Sequence, residues 1–258
     1  MSVIKQLMST VLIGGVTFFS LLQPTQSQSL PKGVKNVVLV HGAFADGSSW
    51  AKVITILQTK GFNVISVQNP LTSLEDDVAA TKRAIAQVDG PILLVAHSYG
   101  GMVITAAGND PKVVGLLYVC ALIPDDNQSV VDVTKPYPLS PGNAEFQQDA
   151  EGFLSLSFKG INEHFAQDLT PAERKVVFAT QVPWAAKATT VKVADPAWKT
   201  RPSWCIIGQD DHMVLPELAR AEAKMIKATT LELKSSHVPM LSQPDKVAAF
   251  ITRAAGQL

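Results

Sequence analysis

The hydrophobic pattern divides the chain into short, continuous apolar runs and longer stretches in which apolar and polar residues are mixed. Continuous apolar runs are typical of strands that are covered on both faces, as in a parallel sheet. Six such runs, bounded by glycine, proline or polar residues, occur at 36–40, 63–67, 91–95, 113–122, 203–208 and 229–233. The pattern therefore predicts six strands of a mostly parallel sheet.

Helical periodicity appears between these runs. In "EDDVAATKRAIAQV", residues 75–88, the apolar residues Val78, Ile85 and Val88 fall roughly on one face, and acidic residues occupy the first turn, where negative charge stabilises a helix. Strands that alternate with such helices predict a doubly wound α/β architecture.

One interval, 124–202, interrupts this alternation. It contains eight prolines and no convincing strand of the sheet. Two segments within it, "GFLSLSFKGINEHF" (152–165) and "TPAERKVVFATQV" (170–182), are predicted to be short helices. A connection of this length inside one domain usually serves function, so we interpret 124–202 as a mainly helical lid over a site at the strand ends.

The amino-terminal segment has the organisation of a secretory signal peptide. Lys5 precedes an apolar stretch at 11–22, and small residues follow with spacing suited to cleavage after Ser27 or Ser29. The stretch is shorter than the ~20 residues that a membrane span requires. We expect a signal peptide at 1–29, export to the periplasm or exterior, and no stable membrane insertion after cleavage.

Composition and charge restrict the class of partner. The chain has 258 residues, a formal net charge of zero and no basic or acidic run of five or six residues, so nothing indicates binding to nucleic acid or to an anionic membrane. A small molecule is the expected partner. The two cysteines, Cys120 and Cys205, lie in apolar runs. We expect them to be buried free thiols, and a disulfide is the alternative.

A candidate nucleophile occurs where one apolar run ends and a helix-like run begins. In "ILLVAHSYGGMVI", Ser98 lies between small residues, with Ala96 two positions before it and Gly100 two positions after it. Small-x-Ser-x-Gly between a strand and a helix is the pattern of a nucleophile elbow, a tight turn that projects the serine hydroxyl outward. We interpret Ser98 as a nucleophile.

A serine nucleophile needs a base, and the base needs an orienting acid. His237 follows the last predicted strand and is the expected base, whereas His164 lies in the lid and His212 at a helix start. For the acid, "GQDDHMVLP" offers Asp211 and its close rival Asp210 after a strand, with Asp125 as a more distant alternative.

The sequence also lacks metal-ligand spacing and a dinucleotide loop, so no metal or cofactor is expected.

Backbone N–H groups are the expected donors to the oxyanion that forms on attack. Tyr99, directly after the nucleophile, supplies one. Gly42 allows the loop "VHGAFADGSSW" to approach the serine, so that Ala43 or Phe44 supplies the other. The flanking His41 and His97 are interpreted as structural hydrogen-bonding residues.

Four segments carry a family resemblance: "VLVHGAFADGSSW", "VAHSYGGMVI", "GQDDHMVLP" and "SSHVPMLSQPDKVAAFI". Together they resemble the α/β-hydrolase superfamily, specifically the compact esterase-like branch that includes plant methylesterases, hydroxynitrile lyases and bacterial carboxylesterases. The resemblance implies an α/β-hydrolase domain over 30–258, with Ser98 as nucleophile, His237 as base, Asp211 as acid, and Ala43 and Tyr99 as oxyanion donors.

Departures from relatives narrow the expected chemistry. The resembling lyases have threonine where Gly42 stands and lysine where Val238 follows the catalytic histidine, and epoxide- and haloalkane-cleaving relatives have aspartate in place of Ser98. We therefore expect an exported serine esterase that acts on small or medium carboxylic esters. The alternatives are a non-catalytic small-molecule binding protein on a hydrolase fold and cofactor-free haloperoxidase-like activity.

Aromatic residues indicate an apolar substrate pocket. We expect Phe44 and Trp184 to contact substrate. Further aromatic residues could line the same pocket or form the core of the lid: Phe153, Phe158, Phe165 and Trp198.

Overall fold

A six-stranded parallel sheet forms the centre of the computed structural model, which describes residues 33–258. The strands of the chain are β1 (Asn36–Val40), β2 (Asn63–Val67), β3 (Ile92–His97), β4 (Val113–Val119), β5 (Phe146–Gln148), β6 (Phe153–Leu156), β7 (Trp184–Ala185), β8 (Ser203–Gly208) and β9 (Thr229–Leu233). The central sheet has the order β2-β1-β3-β4-β8-β9, and every neighbouring pair in it is parallel. The predicted signal peptide at 1–29 lies outside the described residues.

All six predicted strands are confirmed, with small differences at their ends. The third extends to His97, and the fourth ends at Val119 rather than at 122. The backbone of Cys120 has a positive φ of 45°, which an extended strand does not allow. The strand therefore ends before this residue.

The helices are α1 (Ala51–Thr59), α2 (Leu74–Ala86), α3 (Gly100–Ala107), α4 (Val130–Thr134), α5 (Phe158–Gly160), α6 (Pro171–Ala179), α7 (Pro216–Met225), α8 (Pro239–Ser242) and α9 (Pro244–Gly256). The helix predicted over 75–88 is α2. It begins after Ser73, whose side chain accepts a hydrogen bond from the Asp76 N–H group. Within 33–258, none of the helices is long and apolar enough to cross a bilayer.

The sheet is doubly wound. From β1 the chain steps outward to β2 and then returns past β1 to β3. Because such crossovers are right-handed, the reversal places α1 and α2 on opposite faces of the sheet. Helix α9 packs against α1, and α3 packs against α2. Both faces of the central strands are covered, which explains why every residue of β3 is buried.

The two cysteines are free thiols. Cys120 and Cys205 are both buried, as the first of the two sequence alternatives predicts. Burial raises the pKa of each thiol, which keeps both in the unreactive protonated form.

The interval between β4 and β8 is mainly helical, but it also contains a small antiparallel sheet, β5-β6-β7. The prediction of a helix over 152–165 is wrong in its first part, because Phe153–Leu156 forms β6 and helical structure begins only at Phe158. Strand β6 pairs with segments on both sides of it, and this tertiary pairing overrides local preference. The helix predicted over 170–182 is confirmed as α6.

Candidate active site

The reversal of winding between β1 and β3 brings two loops together at the carboxyl edge of the sheet. Adjacent parallel strands whose connections leave in opposite directions open a crevice there, and α/β proteins bind ligands in it. The loop after β1 begins at His41, and the turn after β3 contains Ser98. The loops after β8 and β9 reach the same edge and carry Asp211 and His237.

Ser98 occupies a strained turn between β3 and α3. Its φ is +54°, in the left-handed region that costs a non-glycine residue about 1–3 kcal/mol. Three hydrogen bonds hold it there: its N–H donates to the Val119 carbonyl (3.2 Å), and its own carbonyl accepts from Gly101 (2.9 Å) and Leu122 (3.2 Å). The turn projects the Ser98 side chain away from the sheet, and it is only half-buried.

Two glycines make this turn sterically possible. A Cβ atom on Gly42 would lie 2.6 Å from the Cβ of Ser98, and one on Gly100 would lie 2.8 Å from the carbonyl oxygen of His41. Both distances are too short for any side chain. The loop after β1 therefore approaches the serine as closely as the sequence pattern predicts.

His237 joins Ser98 to Asp211. Its Nε2 lies 2.8 Å from the Ser98 hydroxyl oxygen, and its Nδ1 lies 2.8 Å from Asp211 Oδ2. Because a carboxylate only accepts, the Nδ1–H donates to Asp211, and Nε2 is left to accept the proton of Ser98 Oγ. The histidine is 1% exposed and the aspartate 2% exposed, so water competes little for these bonds.

Asp211 is also held by backbone donors. Its Oδ1 accepts hydrogen bonds from the N–H groups of Met213 (2.8 Å) and Val214 (3.0 Å). These bonds fix the carboxylate, whose other oxygen faces the imidazole. A buried charge needs such partners to offset the loss of water.

Neither rival acid contacts His237. Asp210 is exposed, and its backbone carbonyl accepts from the side chain of Gln167 (2.7 Å). Asp125 bonds locally, its carboxylate accepting from the next backbone N–H. Of the three candidates, the structure brings Asp211 to the imidazole.

A cavity of about 220 Å³ opens above Ser98. Its wall includes both residues expected to contact substrate, Phe44 and Trp184, together with Phe165, whose ring packs edge-on against the imidazole of His237 at 5.1 Å. The other three aromatic candidates do not line it: Phe153, Phe158 and Trp198.

Residues with free backbone donors line this cavity. Ala43 and Tyr99 line it, and the N–H groups of Ala43, Phe44 and Tyr99 donate no hydrogen bond to any part of the chain that the structure describes. Such N–H groups beside a nucleophile have the composition of an oxyanion hole.

The two remaining candidate histidines form a pair outside the Ser98 site. The Nδ1 atoms of His164 and His212 lie 3.2 Å apart, and the latter is also 3.3 Å from the Glu163 carbonyl oxygen. Across residues 33–258, no group of three or more His, Cys, Asp or Glu side chains is arranged to hold a metal ion.

Comparison with known proteins agrees with this geometry. Residues 37–250 match the model of the Alpha/beta hydrolase family. The chain belongs to the alpha/beta hydrolase family.

Individual relatives have low sequence identity to this chain, but their alignments cover most of it. The chain is 23% identical to an alpha/beta hydrolase of Aspergillus novofumigatus, covering 86% of this chain and 96% of that protein. It is 22% identical to a pyrethroid hydrolase of Sphingobium wenxiniae, covering 84% and 86%. The solved structure of polyneuridine aldehyde esterase superposes with a TM-score of 0.75 at 19% identity, covering 85% of this chain and 98% of that one.

In this α/β hydrolase, His41 and His97 are buried and bond to backbone, as their structural interpretation requires. The Nε2–H of His97 donates to the carbonyl oxygen of His237 (2.8 Å), and the rings of the two histidines lie 4.6 Å apart. Burial lowers the pKa of His97 well below its usual value, so it stays neutral. The Nε2 of His41 accepts from the Asn69 N–H (2.9 Å).

The insertion contacts both loops that carry the buried pair. Asp168 accepts hydrogen bonds from the N–H and the hydroxyl of Ser236, the residue before His237. Gln167 donates to Asp210, the residue before Asp211. Neighbouring residues of the insertion therefore hold the backbone on either side of the imidazole–carboxylate bond.

Asp77 is a site residue that the sequence interpretation missed. It lies in the first turn of α2, where its position suggested only helix stabilisation. Its side chain is buried and accepts from the Tyr99 hydroxyl (2.9 Å) and from the Leu71 N–H (2.8 Å). It thereby fixes the ring of the residue that follows Ser98, and burial raises the pKa of Asp77 to about 6.

This raised pKa predicts a pH-dependent stability that asparagine removes. An aspartate in an unfolded chain has a pKa of about 3.9. As pH rises from 4 to 6, the unfolded chain loses this proton before the folded protein does, so the wild type loses unfolding free energy. Asp77→Asn keeps the shape: its amide oxygen accepts from the Leu71 N–H, and the Tyr99 hydroxyl turns to accept from the amide N–H. Its stability relative to wild type should rise across this range by up to about 3 kcal/mol.

Urea unfolding of both proteins between pH 4 and 7 measures the difference. The neighbouring Asp76 is the control, because hydrogen bonds from Thr72 and Ser73 lower its pKa. Asp76→Asn should therefore show no gain in stability relative to wild type between pH 4 and 7. A constant difference for Asp77→Asn between pH 4 and 6 would contradict the assignment.

Proposed function

We propose that this chain is an exported serine hydrolase that cleaves small or medium carboxylic esters through an acyl-enzyme. The observation that carries the proposal is the continuous pair of 2.8 Å contacts from Ser98 through His237 to Asp211. Serine, histidine and aspartate in this order along a hydrogen-bonded chain are the parts that acyl transfer uses. The names of the relatives, among them a pyrethroid hydrolase, support hydrolysis.

Acylation begins with attack on the ester carbonyl carbon. Ser98 Oγ forms the new C–O bond while its proton passes to His237 Nε2. The carbonyl electron pair moves onto oxygen, and the N–H groups of Ala43 and Tyr99 donate to that oxyanion. Asp211 stabilises the imidazolium through the Nδ1–H bond. Each donor is fixed before reaction, so little reorganisation is needed as charge develops.

Collapse of the intermediate completes the first half of the reaction. The bond from carbon to the alcohol oxygen breaks, and the imidazolium of His237 gives its proton to that oxygen. An alcohol leaves, and the acyl group stays on Ser98. Water then attacks the acyl carbon with His237 again accepting a proton, and a carboxylic acid is released as the serine recovers its hydrogen.

The cavity favours an apolar ester. Most of its wall is aliphatic or aromatic, and burial of apolar substrate surface contributes roughly 25 cal/mol per Å². No cationic side chain lines it, and Gly42 and Val238 occupy the positions where the resembling lyases have threonine and lysine. These residues favour hydrolysis over cyanide chemistry.

The proposal that the protein is exported rests on the signal-peptide pattern of residues 1–29.

Removal of the Ser98 hydroxyl should abolish turnover. Without its nucleophile, Ser98→Ala should lower kcat for p-nitrophenyl acetate by about 10⁴ to 10⁶, and the circular dichroism spectrum should not change. Ser203→Ala is the matched control, because Ser203 lies at the amino end of β8, away from the site. More than a tenth of wild-type turnover in folded Ser98→Ala would show that Ser98 is not the nucleophile and that turnover uses another mechanism.

The acid makes a sharper comparison, since two adjacent carboxylates differ in their contacts. Asp211→Asn removes the negative charge beside the imidazole and stabilises the wrong tautomer, which should lower kcat by about 10⁴. Asp210→Asn leaves every contact of His237 in place and should retain kcat within a few fold. Steady-state kinetics of both variants decides the assignment, and the reverse ranking would transfer the role to Asp210.

A further inference from the structure

The cavity above Ser98 shares part of its wall with a neighbouring cavity. A second cavity of about 280 Å³ adjoins it, and both are lined by Val131, Thr134, Asn143 and Met213. The first cavity, at about 220 Å³, is smaller than the roughly 300–1,000 Å³ typical of small-molecule sites. The two together fall within that range.

The second cavity lies between the insertion and the central domain. Leu215 and Leu218 line it from the start of α7, whereas Tyr137, Pro138 and Leu139 line it from the insertion. The lining is predominantly apolar, which favours an apolar occupant.

Exposed apolar side chains mark the rim of this cavity. Leu139 is 74% exposed and Val131 47% exposed, and both belong to its wall. Exposed large apolar residues that cluster at a concave site gain stabilisation when a ligand covers them. The rim therefore offers apolar surface that a bound ligand would remove from contact with water.

Met213 lies at the junction of the two cavities. Its sulfur packs beside Gly142, where any side chain would collide with it. Methionine is unbranched and adapts readily to different neighbours. A flexible side chain at this position can move aside for an elongated molecule that extends from one cavity into the other.

We propose that the second cavity binds the distal apolar arm of an extended ester whose carbonyl lies at Ser98. This proposal rests on the proposed esterase function and adds a substrate class to it: carboxylic esters with one long apolar arm, in preference to short esters. Its physical basis is the wall that the two cavities share, because an arm that extends past Met213 from the first cavity enters the second.

Two substrate series identify the arm. In p-nitrophenyl esters from acetate to decanoate the acyl arm grows, and in alkyl acetates from butyl to decyl the alcohol arm grows. The kcat/KM of the wild type should rise with length in at least one series.

Two variants test the cavity itself. Leu139→Asp places a charge at the rim, and Leu215→Trp fills the interior; neither residue lines the Ser98 cavity. Each should lower kcat/KM for the longest preferred ester by on the order of tenfold, because apolar burial is lost, and should leave p-nitrophenyl acetate turnover unchanged. Val176→Asp is the control, since Val176 is 61% exposed on α6 and lines neither cavity.

The outcomes separate the two proposals. Equal kcat/KM across both series, or equal long-ester activity in Leu139→Asp and Val176→Asp, would overturn the second-cavity proposal while leaving the esterase function intact. Absence of wild-type turnover for every ester would overturn the esterase function. In that event, calorimetric titration of p-nitrophenyl octanoate into Ser98→Ala and into its combination with Leu139→Asp shows whether the cavity binds an apolar arm, and equal affinities would reject it.

Discussion

The close approach of the loop after β1 to the turn after β3 is the constraint on which the site depends. Gly42 has no side chain because the space that one would occupy is filled by Ser98. This close contact packs the left-handed turn at Ser98 against the neighbouring loop. Ala43 and Tyr99, whose N–H groups donate no hydrogen bond within the described residues, line the same cavity as Ser98. The doubly wound sheet supplies the rigid frame, since both loops leave adjacent buried strands whose connections diverge.

The insertion does more than cover this site. Asp168 and Gln167 bond to the residues that precede His237 and Asp211, so the segment that shapes the cavity also holds the loops that carry the imidazole and the carboxylate. His97, at the end of β3, adds a third support through its hydrogen bond to the His237 carbonyl. These supports hold the imidazole in the position that gives its two 2.8 Å contacts. Because the side chain is already ordered, little conformational entropy remains to be lost when a reaction begins.

Local chemistry was readable from the sequence, whereas contacts across the fold were not. Ser98 was predictable because a nucleophile turn needs small neighbours within a few positions. Asp210 and Asp211 stayed ambiguous because adjacent residues on a turn point in different directions, and only the N–H groups of Met213 and Val214 decide which carboxylate faces inward. The strand at Phe153–Leu156 depends on pairing with β5 and with the more distant β7. The buried position of Asp77 depends on its hydrogen bond to Tyr99 in another element, and helical periodicity gives no signal for either contact.

The central claim is that Ser98 is an activated nucleophile, and covalent labelling tests it most directly. A fluorophosphonate reacts with a serine hydroxyl whose proton a neighbouring base accepts. Intact-mass analysis followed by peptide mapping should find one equivalent of label on the native protein, located at Ser98, and none on protein unfolded in urea. Label at another residue, or continued ester turnover in protein that carries no label after prolonged exposure, would contradict the account.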